Sequence, residues 1–513
     1  MKNKLMILVV LCFIVYCVLA FSSCVEKPLR IDTSINSNTD TSTEIESNTD
    51  VESSTNSDTS TDKVSLEELP LNERAEKVMD NISARNDEEK SMDVKLDVTF
   101  EGILSDGREF TFEANGVSSY RYLENDEYQY LQTQSISTIV PGEISDVSTH
   151  TIGYMDGKMF QTSVDSSFVT RVYSELTKDE FLEHMDEIYG VSDLELTEDD
   201  YDVISCEKIK NKWVIEFSIY SKRGIDIIQR EVISDIESLV AETHTISEIS
   251  FTVIADSEFF MTGYEIEAWF DVVDEKYKDI PKPSLEFSAK VEDIFLPKPL
   301  DEIDFDKYTE VDDLRTFDVV NMLLNKKIQS EYCELSSEIK TKILINSYYY
   351  TTQKKTETKY VGSFKNTESG IEYSLVYSKS DPTMEYSDIT IEYKDLTQVT
   401  NDGINSETKV YKTDHAAKKL IDSVIDPIGI TLDGLDSAML YDEDEGIYKF
   451  EYVNAGQKLG YNSEFFGASI NYDVATLYVV VLDDELISLS YELIVEANNG
   501  ISLTVNVECT YSE

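Results

Sequence analysis

Met92-Asp93-Val94-Lys95-Leu96-Asp97-Val98-Thr99-Phe100 places an apolar side chain at every second position with a polar one between. Successive side chains of an extended strand point to opposite faces, so this period marks a strand buried on one side. Just beyond it, Phe110 and Phe112 alternate with Glu109, Thr111 and Glu113, and Ser105-Asp106-Gly107 supplies hairpin turn chemistry. The pattern continues outward in Trp213, Ile215, Phe217 and Ile219, in Tyr264, Ile266, Ala268 and Phe270, and in Leu285, Phe287, Ala289 and Val291. Strands apolar on one face only belong to an antiparallel sheet.

The second half of the chain retells this order. Ile371, Tyr373, Leu375 and Tyr377 answer the opening strand, Ile389, Ile391 and Tyr393 the next, and Leu503, Val505 and Val507 the last. Tyr448, Phe450 and Tyr452 parallel the strand at Trp213, and Tyr491, Leu493 and Val495 the one at Tyr264. Helical faces open both halves: Leu71, Ala75, Val78, Met79 and Ile82 in the first, Leu314, Phe317, Leu324 and Ile328 in the second. A second pair sits mid-unit. Thr177 with Glu180 forms a capping box ahead of Phe181, Met185 and Ile188, and Asp414 caps a helix that Pro427 stops. A further helix is expected over 225–240, where Ile228, Val232, Ile236 and Leu239 recur at helical spacing. The expected class is α+β, with two repeated domains at 66–295 and 312–513, each a curved antiparallel sheet wrapped around helices, joined by a Pro-Lys-Pro linker at 296–311.

Ahead of the first domain, 32–63 is almost wholly Ser, Thr, Asn, Asp and Glu, and Asn38-Thr39-Asp40 recurs as Asn48-Thr49-Asp50. Such a stretch cannot bury enough apolar surface to offset chain entropy. Residues 24–65 therefore read as a disordered acidic tether, reaching on the order of 30–50 Å. The start of the chain has Lys2 and Lys4, an unbroken apolar run over 5–21, then Ser22-Ser23-Cys24. This stretch resembles a bacterial lipoprotein signal peptide. The resemblance implies removal of 1–23 and lipidation of Cys24, anchoring the protein outside the cell membrane. The other reading is an uncleaved anchor, at the short limit of about 17 apolar residues that span a bilayer.

The order of elements, the anchor and Gly153-Tyr154-Met155-Asp156-Gly157-Lys158-Met159-Phe160 together resemble the LolA/LppX-like lipoprotein-carrier fold. That resemblance implies a hydrophobic cavity on the concave side of the sheet, holding a lipid or another apolar ligand. Taken alone, the 153–160 segment is a hairpin with Asp-Gly at its turn, and inward apolar residues fill a solid core as readily as they line a cavity.

Acidic residues number 101 against 44 basic, a formal charge of −57. A surface of this sign excludes nucleic acid and attracts a cationic protein or peptide. Asp442, Asp444 and Glu445 before Gly446 depart from calcium-loop spacing and read as a turn. His150, His184, His244 and His415 lack metal-ligand spacing and read as surface residues. Ser337 and Lys340 match Ser-x-x-Lys without the companion motifs of that chemistry. No catalytic residue, metal or cofactor is expected. Cys206, Cys333 and Cys509 are too few to hold the domains together, and a Cys333–Cys509 pair stays open beside buried thiols.

The expected function is non-enzymatic: an extracytoplasmic binding protein for an apolar or lipid-like ligand. The alternative is a surface interaction protein with solid cores and an acidic partner-binding face.

Overall fold

The computed structural model describes residues 66–86, 91–104, 107–123, 127–141, 146–164, 169–189, 199–228, 240, 243–273, 275–346, 351–367, 370–381, 384–385, 388–411, 414–442, 445–459, 461, 463–482 and 484–512. The signal peptide, Cys24, the tether over 24–65, Asp444 and most of the helix expected over 225–240 lie outside them.

The first sheet contains β1 (Met92–Ile103), β2 (Glu109–Tyr122), β3 (Tyr128–Ile139), β4 (Asp146–Met155), β5 (Lys158–Val164), β6 (Val169–Glu175), β7 (Tyr201–Ile209), β8 (Lys212–Ile219), β9 (His244–Ala255), β10 (Met261–Val272), β11 (Ser284–Asp293) and the short β12 (Thr309–Glu310). The second contains β13 (Tyr332–Asn346), β14 (Thr351–Thr367), β15 (Gly370–Asp381), β16 (Met384–Glu385), β17 (Ile389–Lys394), β18 (Thr397–Asn401), β19 (Ser406–Val410), β20 (Leu435–Asp442), β21 (Ile447–Val453), β22 (Ile470–Leu482), β23 (Glu485–Ala497) and β24 (Ile501–Ser512). Both are antiparallel except where β12 runs parallel to β6.

The two sheets share one strand order. In the first, β1 pairs with β2 on one side and with the last full strand, β11, on the other, and the order is β12-β6-β5-β4-β3-β2-β1-β11-β10-β9-β8-β7. In the second, β13 lies between β14 and the last strand β24, in the order β19-β18-β17-β15-β14-β13-β24-β23-β22-β21-β20, with β16 on the end of β15. Two-residue turns with positive φ at both positions join β4 to β5 at Asp156-Gly157, β7 to β8 at Lys210-Asn211 and β17 to β18 at Asp395-Leu396. Their twist matches that of the strands they connect.

The expected α+β class, with each sheet wrapped around helices, is corrected by this architecture: the described residues are chiefly strand, in two large antiparallel sheets, and helices are a minority. The reason lies in polar strands. β3 reads YQYLQTQSISTI and β14 reads TTQKKTETKYVGSFKNT, with polar Gln, Thr, Lys or Ser side chains interrupting both faces. Such strands show no apolar alternation, so the strongly periodic helices outweigh them in the sequence.

The helices that do form bury their predicted faces. In α1 (Leu71–Asn86), Ala75, Val78, Met79 and Ile82 are buried. In α2 (Lys178–Tyr189), Phe181 and Met185 are buried, and the capping box closes, with Thr177 N donating to Glu180 Oε2 at 2.9 Å and Glu180 N to Thr177 Oγ1 at 3.3 Å. The 225–240 segment begins as α3 (Lys222–Ile228). The second sheet carries α4 (Arg315–Gln329), with Phe317, Leu324 and Ile328 inward, and α5 (His415–Ile425).

Candidate functional site

Two regions gather polar or half-buried side chains that packing alone does not call for. One is the junction between the sheets, and the other is the inner face of the second sheet.

At the junction, residues 296–311 lie on the first sheet. Leu300 N donates to Gln129 Oε1 at 2.8 Å, the Phe305 ring meets Phe160, Tyr173 and Tyr308, and the Lys158 ammonium stands 4.6 Å from the centroids of both Tyr173 and Phe305. Val311 N donates to Tyr173 O at 2.8 Å and Asp313 N to Ala438 O at 3.1 Å, so this stretch bonds β6 on one side and β20 on the other. Beside it, Asp318 in the first turn of α4 is buried against the first sheet. Its carboxylate lies 2.9 Å from His184 Nε2 on α2 and accepts from Gln161 Nε2 of β5 at 3.1 Å. Ser163 Oγ donates to Asp433 Oδ1 at 3.0 Å, and Gly434 N to Thr170 Oγ1 at 2.9 Å. A cleft of about 200 Å³ opens here, lined in part by Glu180, His184, Asp313 and Arg315.

The charges of that cleft are committed to structure. Arg315 grips Asp313 through Nε and Nη2, both at 2.9 Å, and this pairing raises its pKa. Hydrogen bonds from Thr177 hold the Glu180 carboxyl below the usual glutamate value. Asp318 with His184 and Gln161, Ser163 with Asp433 and Thr170 with Gly434 pair across the two sheets, which is how buried polar groups hold two bodies together.

The inner face of the second sheet is different. Register aligns Tyr360 with Tyr377 across β14 and β15, Leu375 with Ile391 and Tyr373 with Tyr393 across β15 and β17. Tyr360 and Tyr377 meet at a ring separation of 4.9 Å, Tyr373 stacks on Tyr393 at 5.3 Å, and Tyr411 lies 5.9 Å from Tyr393. Toward the far ends of β13 and β24 the same face continues through Ile339 and Ile343, which pair with Val507 and Leu503. Leu375, Tyr373 and Tyr393 are buried, yet Ile339, Ile343, Tyr360, Tyr377, Ile389, Ile391 and Tyr411 are only half-buried.

The Tyr393 and Tyr411 hydroxyls on this face have partners. Tyr393 donates to Asp414 Oδ1 at 2.8 Å, and burial together with that bond pushes the phenol well above its ordinary pKa. Tyr411 donates to Gln398 Oε1 at 3.0 Å. Asp414 was expected to cap α5 with its side chain, but it makes no cap bond and serves Tyr393 instead. Gly370 lies against that carboxylate with φ of 128°, where a Cβ would stand 2.0 Å from Asp414 Oδ2, so only glycine fits.

The remaining candidates resolve individually. His184 and His244 are buried rather than on the surface, 3% and 1% exposed, and His150 is half-buried. The charged flank of α2 disguised His184 because its partner lies far along the chain. His415 starts α5. Ser337 faces inward against Cys509 and Lys340 faces outward against Glu338, since residues three apart on a strand project from opposite faces. Asp442 accepts the Glu445 amide at 3.1 Å in a turn with Gly446 at φ of 61°. Among the described residues no His, Cys, Asp or Glu group is arranged to hold a metal ion. Cys206, Cys333 and Cys509 are buried free thiols, each pushed up to about 11 chiefly by burial. The 153–160 segment is the hairpin of β4 and β5.

No family model matches the chain, and no curated protein does. Among solved structures, one named as an AttH from Nitrosomonas europaea is 5% identical over 82% of this chain and 92% of its own, at a TM-score of 0.14. An outer membrane lipoprotein-sorting protein domain from Vibrio parahaemolyticus is 9% identical over 45% and 95%, at 0.15. Transferrin binding protein B from Haemophilus parasuis is 7% identical over 83% and 76%, at 0.14. Superpositions this poor carry no argument.

Proposed function

We propose that this is a non-enzymatic, lipid-anchored extracytoplasmic binding protein whose apolar or lipid-like ligand lies on the inner face of the second sheet. One observation carries the reading. A run of apolar and aromatic side chains, Ile339 and Ile343 through Tyr360 and Tyr377 to Ile391, is left half-buried on adjoining inward positions of four strands. Completing the burial of such side chains contributes about 25 cal/mol per Å² of apolar surface, a driving force available to a ligand. Tyrosines give that ligand flat aromatic contact with a polar rim. The export signal and Cys24 supply the location.

The first sheet fits the solid-core reading instead, as a rigid body that carries the second. Its inner rings touch one another: Tyr154 stacks on Phe181 at 4.7 Å, Phe100 meets Phe110 at 5.5 Å, and Tyr264 meets Phe287 at 5.7 Å.

Native mass spectrometry of the chain purified from a lipid-containing host tests the function. The expected result is one lipid-sized adduct that disappears on denaturation and is lost in Ile391→Asp. A clean native mass that persists after incubation with membrane lipid would overturn the reading.

A further inference from the structure

The far end of the β13–β14 hairpin has the opposite charge to the rest of the molecule. Residues 339–356 contain Lys340, Lys342, Lys354 and Lys355 and no carboxylate, in a chain of formal charge −57. The neighbouring strand β24 adds none over 501–507. β15 pairs with β14 only from Glu357 onward, so Thr351–Thr356 of β14 pair with β13 alone and extend past their neighbour. Lys342 and Lys355 face each other directly in the register. Like charges in that position destabilise a strand pair, so their placement is not a device of the fold.

We infer that this hairpin end is a second membrane contact, which seats on an anionic lipid surface. Lysines project from both faces of the two strands, Lys342 and Lys355 from one and Lys354 from the other, as the register requires. Between them Leu344 and Ile345 remain half-buried. A groove for a soluble anionic polymer would concentrate charge on one face. Charge on both faces around partly exposed aliphatic side chains instead suits an edge that enters the headgroup region, with ammonium groups on lipid phosphates and apolar stems below them. The remainder of the protein is repelled from the same surface. Contact therefore also sets orientation, with the second sheet turned toward the bilayer. The inference does not depend on a ligand on the inner face.

The test is cosedimentation of the chain from residue 24 onward, expressed without its leader and hence unacylated, with phosphatidylcholine vesicles containing about a third phosphatidylglycerol. Binding is expected to these vesicles and not to pure phosphatidylcholine, and to weaken as salt rises. Joint substitution Lys342→Gln, Lys354→Gln and Lys355→Gln is expected to cost about a hundredfold in partition, at about fivefold per lysine. The corresponding arginine triple should retain binding, which separates lost charge from lost fold. Equal partition of the glutamine triple and the parent, or no binding to the anionic vesicles, would overturn the inference. So would competition by inorganic polyphosphate at salt-matched concentration with no preference for the bilayer, which would mark a polyanion site.

Discussion

The two sheets have one strand order and two different interiors. In the first, inward positions of β1, β3 and β5 are buried almost without interruption, and aromatic rings from β3, β4 and α2 interlock around Phe181. In the second, β13 is buried near Cys333 and Leu335 and becomes half-exposed beyond Ile339, while β17 and β18 are half-buried along most of their length. The lesson is that a strand order fixes which residues face inward but not whether anything covers them. Covering depends on what the facing elements supply: α1 and α2 bring large apolar side chains to the first sheet and α4 brings them to part of the second, whereas the strip from Ile339 to Ile391 is flanked by tyrosines, of which Tyr393 and Tyr411 have hydrogen-bonded tips.

This contrast can be broken from the first sheet. Phe181→Ala should cost about 3–5 kcal/mol in chemical denaturation, because a large ring leaves a cavity in close packing. An equal cost for Tyr377→Ala would erase the distinction, since a half-exposed ring should lose well under half as much. Asp318→Ala should come next, at about 2–3 kcal/mol, because it leaves His184 and Gln161 buried without their acceptor. Its diagnostic is loss of cooperativity, with the two sheets melting in separate steps. Ile391→Asp should change stability by less than about 1 kcal/mol while removing the native-mass adduct. The smallest effects are chemical. None of the three thiols should react with a disulfide reagent at pH 8 in the folded protein, since a pKa of about 11 leaves roughly a thousandth as thiolate. Glu180 has a folded pKa below its ordinary 4.5, so its contribution is complete above that value and is lost as pH falls through the folded pKa. Thr177→Ala should flatten that acid limb.

Much of this was legible in the sequence, and the omissions have a common cause. Met92–Phe100, Trp213–Ile219 and Leu285–Val291 alternate cleanly and are strands, and the helices at Leu71 and Leu314 declare themselves by period and the one at Thr177 by period and capping box. Strands such as β3 and β14 were hidden because the backbone ladder forms equally well beneath Gln, Thr and Lys, which leave no apolar period to read, and the fold class was misjudged with them. His184 and Asp318 were unreadable as a pair, since nothing local links residues 134 positions apart. The half-buried tyrosines were visible as residues but not as a surface, because exposure belongs to the partner elements rather than to the strand.

The most direct test of a ligand on the second sheet is photo-crosslinking with a diazirine-bearing fatty acid, mapped by peptide mass spectrometry. The account predicts adducts on β13, β14, β15 and β17, among Ile339, Ile343, Tyr360, Tyr377 and Ile391, with none on the inward residues of β1 to β5. Adducts on the first sheet's interior, or none on either, would contradict it.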